Sequence, residues 1–303
     1  MVAYLCEFLF TRRRGEPVSE AVLVTSVIFA LILPPTVAWH VAGIGAAFAI
    51  VFGKEVFGGY RYNIFNPAMA GRCFVYICFP VALTAQWAPV AQGPWGALGQ
   101  WTTAESADAV TGATPMAYLK DGRMELVWGK AQEGIPADIP EGQVVRVLRT
   151  SFWEALFVGR VSGTMGATSV VLILIGGAYL YYTKTASRKI ILSTVIAYGA
   201  LTQILHTLGV EPAPTGLTAM MGGGFLFGAF FMATDPISAP KTEPAKILYG
   251  VLIAVATVVI RNFSIFNGGL MFSILLGNMF APIMDSYVRI YKQGKKAKAK
   301  TNG

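Results

Sequence analysis

The apolar residues of this chain come in long stretches without charge. No Asp, Glu, Lys or Arg occurs from Ala21 to Gly53, Val161 to Thr183, Ile190 to Val210, Pro212 to Thr234 or Asn262 to Met284. Crossing about 30 Å of hydrocarbon takes roughly 20 apolar residues in a helix, and each stretch is near or beyond that length. With the breakers between them, the stretches predict a partial helix at 2–10 and helices near 18–33, 37–57, 67–85, 168–183, 190–208, 216–233, 245–260 and 266–288. Pro34 and Pro35 end the second of these, and Glu211-Pro212-Ala213-Pro214 marks another turn. The expected fold class is an all-α polytopic membrane protein, a bundle of about eight to nine transmembrane helices.

Composition agrees with the pattern. The chain is 54% hydrophobic and 13% charged, against roughly 45–50% and about 25% in soluble domains, which excludes a soluble enzyme, a disordered tail and a lone membrane anchor. The net charge of +8 follows the loops and is not gathered on one face as a nucleic-acid binder requires, so no nucleic-acid partner is expected. Alternate connections carry Arg12, Arg13 and Arg14; Lys54 and Arg61; Lys184, Arg188 and Lys189; Lys241 and Lys246; and a tail with Arg289, Lys292, Lys295, Lys296, Lys298 and Lys300. The opposite short connections hold only Arg261, so the positive-inside rule places the basic side and the C-terminus in the cytoplasm. The lysine-rich tail suits anionic headgroups, at about 1 kcal/mol per basic residue.

One connection is long. Gln86 to Thr150 is polar, rich in Gly and Pro, and has seven acidic residues against five basic ones; by parity it lies outside. A loop of this length is uncommon without a task. The expected organisation is a membrane half at 1–85 whose first helix is partial, an external loop at 86–151, a second membrane half at 152–291 and a basic cytoplasmic tail at 292–303. Phe152 to Thr168, with Gly159, Gly163 and Gly166, reads as an interfacial or re-entrant segment. Met1 to Phe10 is apolar and precedes its arginines, the reverse of a signal peptide, and reads as the end of a longer helix.

The external loop contains Asp108-Ala109-Val110-Thr111-Gly112-Ala113-Thr114-Pro115. It resembles the sequence at which a flavin transferase joins the phosphate of FMN to the last Thr. Such a bond needs an accessible hydroxyl with small neighbours, and Thr114 beside Gly112 and Ala113 provides it; a solvated turn is the other reading. Gly166-Ala167-Thr168 repeats the tripeptide without the acid, with Ser162 at that position, and opens an apolar helix, so Thr168 reads as a helix-start residue.

Glu55, Asp235 and Asp285 lie at the ends of apolar stretches. An acid at the centre of a membrane helix costs about 2.5–3.5 kcal/mol, which makes intramembrane acids candidates for an ion path; at an interface the same acid serves as a solvated cap. Asp235 before Pro236 fits the cap pattern equally well. His40 and His206 have no partner at metal spacing, and Cys6, Cys73 and Cys78 form no CxxC pair. Tyr62-Asn63-Ile64-Phe65-Asn66-Pro67 with Met69 faintly echoes Ser264-Ile265-Phe266-Asn267-Gly268 with Met271, the mark of inverted repeats with a site at the midplane; chance is the other account.

Four blocks in order carry a wider resemblance: Gly53-Lys54-Glu55-Val56-Phe57-Gly58-Gly59; Asn63 to Ala68 with Gly71-Arg72; Phe231-Met232-Ala233-Thr234-Asp235-Pro236-Ile237-Ser238-Ala239; and Asn278-Met279-Phe280-Ala281-Pro282-Ile283-Met284-Asp285. With the Asp108–Thr114 motif between the second and third, they resemble the NqrB/RnfD family. This family comprises the B subunits of the Na+-translocating NADH:quinone oxidoreductases and the D subunits of the Rnf ferredoxin:NAD+ oxidoreductases. The first block and the Ile32-Leu33-Pro34-Pro35-Thr36 entry lie nearer the former branch. Family members carry further helices before the position where this chain begins.

The resemblance implies a urea-transporter-like bundle in the bacterial inner membrane. It implies covalent FMN on Thr114, with Asp108, Thr111, Gly112 and Ala113 around it, and riboflavin in the same complex. Its implied partners are the other subunits of the complex, a flavin transferase, quinone, Na+ and lipid, with electron transfer coupled to Na+ export. No dinucleotide fingerprint follows a strand, so oxidation of NADH would belong to another subunit and the chain would be inactive alone. A non-redox, urea-transporter-like channel is the competing class.

Overall fold

The computed structural model describes residues 1–84, 156–159, 163–210, 213–264 and 268–301, with side chains as far as residue 295. The flavin motif, Asp108 to Thr114, lies outside the described residues, as does Asn267 of the internal echo. The elements are α1 (Val2–Arg14), α2 (Ala21–Leu31), α3 (Trp39–Val51), a 3-10 turn at Glu55–Phe57, α4 (Pro67–Cys78), α5 (Pro80–Thr84), α6 (Val170–Tyr182), α7 (Arg188–Thr207), α8 (Gly216–Met221), α9 (Phe225–Phe227) running into a π turn at Gly228–Met232, α10 (Glu243–Phe263) and α11 (Gly269–Thr301). Among the described residues there is no strand. Among the described residues four segments are long and apolar enough to cross a membrane, Trp39–Phe57, Arg188–Thr207, Glu243–Phe263 and Gly269–Lys295, and α2 and α6 are shorter apolar helices. The protein is an all-α, multi-span membrane protein.

Local chemistry sets the helix starts. Asn66 accepts a hydrogen bond from the Met69 amide (3.3 Å) with Pro67 at the first turn, and Ser169 does the same for Leu172 (3.4 Å); a side-chain oxygen there satisfies an amide that the first turn leaves unpaired. Which face turns inward is read from burial. α6 buries Val170, Ile173 and Gly177 while Leu172, Ile175 and Tyr179 stand exposed, as expected for a face whose solvent is lipid.

α10 packs between α7 and α11, and α3 packs on α4 and α1. One apolar core runs from Phe29 and Ile32 through Tyr198, Phe225 and Tyr249 to Ile274 and Ala281, so it takes residues from both halves of the chain. The 163–168 segment docks onto the end of α2, where the amides of Met165 and Gly166 donate to the carbonyls of Leu33 (3.2 Å) and Leu31 (2.7 Å).

Three predicted helices differ in detail. The 67–85 stretch is interrupted at Phe79, because Pro80 disfavours helical geometry at the residue before it. The 216–233 stretch is broken by Gly222, Gly223 and Gly224 and then widened into the π turn. The last helix continues past 288 to Thr301. The cysteines are free, with Cys78 exposed.

Candidate functional site

The broken segments meet. Widening of the turn at Gly228–Met232 lets the Ala233 amide reach back to the Gly228 carbonyl (2.8 Å). The carbonyl of Met232 takes a hydrogen bond from Asn66 Nδ2 (3.3 Å). Irregular backbone at membrane depth persists where protein groups satisfy it, and Asn66 supplies that satisfaction while capping its own helix. The Asn66 amide donates to Asn278 Oδ1 (3.1 Å). Asn278 Nδ2 in turn donates to the Tyr249 hydroxyl (2.8 Å) and the Ser238 carbonyl (3.4 Å). Gly228 permits this closeness, since a Cβ there would overlap Leu270 Cδ2.

The three candidate acids fall into two places. Asp235 and Asp285 hold opposite ends of the loop between the π turn and α10. Asp235 accepts from the Ser238 hydroxyl (2.6 Å) and amide (3.3 Å); it caps a turn and not a helix. Asp285 reaches from α11, two turns beyond Asn278, to the amides of Lys241 and Thr242 (both 2.8 Å) and the Thr242 hydroxyl (2.6 Å). Since Thr242 is the N-cap residue of α10, Asp285 presents negative charge to that helix's N-terminus, where the helix dipole favours it.

Glu55 is elsewhere. Its Oε2 pairs with Arg14, which also pairs with Glu16 (3.1 Å), while its Oε1 is buried without a hydrogen-bond partner. The bond with Glu55 holds the Arg14 guanidinium above its ordinary pKa. Gly59, at φ +93°, leaves room for the pair, because a Cβ there would lie 2.6 Å from Arg14 Nη2.

Sequence reasoning missed two features. Beside Glu55, Lys54 Nζ pairs with Glu7 Oε2 (2.6 Å), both almost fully buried at 2% and 1% exposure, and Ser19 joins them through its hydroxyl, 2.6 Å from each. The signal was Glu7 within an apolar N-terminal stretch. The second is Arg261, 4% exposed, whose Nη1 donates to the Tyr198 hydroxyl (3.1 Å) and the Gly222 carbonyl (3.3 Å) and whose Nη2 donates to the Gly223 carbonyl (2.7 Å). Its signal was isolation, as the one basic residue of the opposite short connections. His206 Nδ1 lies 3.0 Å from the Ala213 carbonyl, and among the described residues no group of three His, Cys, Asp or Glu could hold a metal ion.

Comparison with known proteins places these blocks in context. The chain is 38% identical over 287 residues to the B subunit of the Na(+)-translocating NADH-quinone reductase of Chromohalobacter salexigens, covering 93% of this chain and 61% of that protein. It is 34% identical over 307 residues to the protein of the same description from Haemophilus influenzae, covering 100% and 67%, and 36% identical over 288 residues to that of Ectopseudomonas mendocina, covering 93% and 63%. It thus spans about three-fifths to two-thirds of the length of these relatives. The sequence model of the NQR2, RnfD, RnfE family matches residues 1–294, and the chain belongs to that family.

Proposed function

We propose that the chain is the flavin-carrying membrane subunit of a respiratory Na+-pumping NADH:quinone oxidoreductase in a bacterial inner membrane. It passes electrons toward quinone in step with Na+ export, and only within its complex. The observation that carries this reading is the crossing: Asn66-Pro67, the Met232–Ser238 block and Asn278, all within the family resemblance, are hydrogen-bonded together across as many as 212 residues. Relatives named as the B component of that enzyme support the choice of complex. The partners are the other subunits, a flavin transferase, quinone, Na+ and lipid. The 86–151 loop faces the periplasm, the tail faces the cytoplasm, and the halves at 1–85 and 152–291 form an inverted-repeat bundle of eight to nine helices.

FMN, held by a phosphoester on Thr114, supplies one-electron transfer when bound, and riboflavin is the second flavin. The Thr114 hydroxyl is the attachment point, Gly112 and Ala113 leave it open, and Asp108 and Thr111 complete the motif that the transferase reads. In-gel fluorescence of denatured chain co-expressed with the transferase tests this. Wild type is expected to fluoresce and Thr114→Ala to be dark, with FMN mass on the Thr114 peptide and none on that of Thr168. A dark wild-type band would favour the channel reading.

For the ion, Glu55, Asp235 and Asp285 supply the oxygens. A cation reaching Asp235 or Asp285 exchanges carboxylate–amide bonds for ion contacts and so loosens the 235–242 loop, while Glu55 offers a buried oxygen with no bond to lose. In the full complex, Asp235→Ala and Asp285→Ala are expected to weaken the Na+ dependence of quinone reduction while flavin stays on Thr114. Normal Na+ activation in both would remove the acids from the path, and lost flavin with collapsed expression would leave them a capping role.

A further inference from the structure

Arg72 and Arg261 are cations inside a membrane bundle with no carboxylate paired to either among the described residues. They belong to one cluster. Arg72 and Tyr76 stand one turn apart on α4, Tyr76 meets Phe272 of α11 edge-on (centroids 6.0 Å apart), and Arg261 lies where a Cβ on Gly269 would touch its Cγ at 2.9 Å. Arg72 is within electrostatic range of both Tyr76 and Arg261. Arg261 itself is held firmly, with its guanidinium 5.7 and 5.9 Å from the ring centroids of Tyr198 and Phe225 and its two Nη atoms bonded to the Tyr198 hydroxyl and the Gly222 and Gly223 carbonyls.

Three buried atoms of the cluster have no hydrogen-bond partner: Arg72 Nε, Arg261 Nε and Asn262 Nδ2, the last on a residue 6% exposed. Buried polar groups are nearly always bonded, and an unpaired buried charge is among the costlier features a fold can hold. All three orphaned atoms are N–H donors, and two belong to cations. A metal ion is repelled by such a set, and a neutral polar ligand would need acceptors beside the donors. Guanidinium groups with an amide donor match the oxygens of a phosphoryl group.

We propose that Arg72, Arg261 and Asn262 form a binding site for a phosphoryl oxyanion, near the end of α10 opposite to Lys241 and Lys246. Two sources share this chemistry: the phosphate of the flavin on Thr114, which rests on the function proposed for that residue, and a phospholipid headgroup.

Thermal unfolding of the delipidated full complex separates them. It is measured for wild type, Thr114→Val, Arg72→Gln and the Arg72→Gln/Thr114→Val double variant, each with and without phosphatidylglycerol and with diacylglycerol as the phosphate-free control. In-gel fluorescence scores flavin loading separately. If the flavin phosphate occupies the site, Thr114→Val lowers Tm by several degrees, Arg72→Gln abolishes that difference, and added lipid changes nothing. If a lipid does, phosphatidylglycerol but not diacylglycerol raises Tm by several degrees with or without Thr114, and Arg72→Gln removes the rise. Asn262→Leu, which leaves both charges in place, is expected to reduce whichever difference is seen and serves where Arg72→Gln does not assemble. The proposal is overturned if neither flavin nor phosphatidylglycerol shifts wild type, or if the shifts survive in the Arg72 and Asn262 variants. A wild-type band without fluorescence overturns the flavin reading alone, since the lipid arm still tests the site.

Discussion

Two groups of buried and half-buried charge in this molecule are built on opposite plans. Around Lys54 and Glu55 every cation has an anion: Lys54 faces Glu7, and Arg14 bridges Glu55 and Glu16. Around Arg72 and Arg261 two cations stand without a carboxylate among the described residues, and the Nε of each is a buried donor with no hydrogen-bond partner. The first plan pairs each of these charges on folding, with Glu55 Oε1 left without a hydrogen bond, and ties α1 to the loop after α3. The second remains incomplete among the described residues. Charge that is compensated inside a bundle is architecture; charge left uncompensated marks a place for something else.

The comparison breaks most visibly at Lys54. Lys54→Met leaves Glu7 charged and buried, and removal of one partner from a buried pair costs about 3–5 kcal/mol. Loss of assembled protein in fluorescence-detected size-exclusion chromatography is the expected result, with substantial recovery in the Glu7→Leu/Lys54→Met double variant. A smaller effect is expected at Glu55, because Arg14 is partly exposed and its pairing is screened by water. Glu55→Gln should cost about 1 kcal/mol, read as a modest fall in Tm that shrinks as salt rises. The smallest effect belongs to the other plan. Arg72→Gln, in protein carrying neither flavin nor phospholipid, should leave Tm unchanged or slightly raised, since it removes a repulsion and breaks no ion pair. A large destabilisation there would mean that the second group is compensated after all.

Features that depend on neighbours along the chain were legible in the sequence. The spans at 37–57, 190–208 and 245–260 correspond to Trp39–Phe57, Arg188–Thr207 and Glu243–Phe263, because length without charge is itself the signal for crossing hydrocarbon. The helix start near residue 67 was legible, while the capping role of Asn66 before it was not read; Asp235-Pro236 fitted a capping acid as well as an ion path, and Asp235 caps a turn. Hydropathy missed the breaks inside 216–233: it averages over glycines and cannot distinguish a straight helix from a π turn of the same composition. What the acids bind was also hidden. Asp285 caps residues 43 and 44 positions away, Arg14 meets Glu55 across 41, and Lys54 meets Glu7 across 47, distances at which a sequence shows residue types without their pairing. Nothing described bears on Thr114, whose assignment rests on its motif.

The bond between Asn66 and Asn278 has a consequence for how the molecule is made. Its ends lie 212 residues apart, and at about 5–20 residues per second a ribosome needs roughly 10–40 s to travel from one to the other. Throughout that interval the first half waits in the membrane with the Asn66 amide and, until residue 232 arrives, its Nδ2 without their final partners. A truncated chain ending before Asn278 never closes the crossing. Quality-control proteases that survey the bilayer would therefore encounter an open half-molecule on every round of synthesis, and a slow codon run between 66 and 278 would lengthen that exposure without changing a single residue.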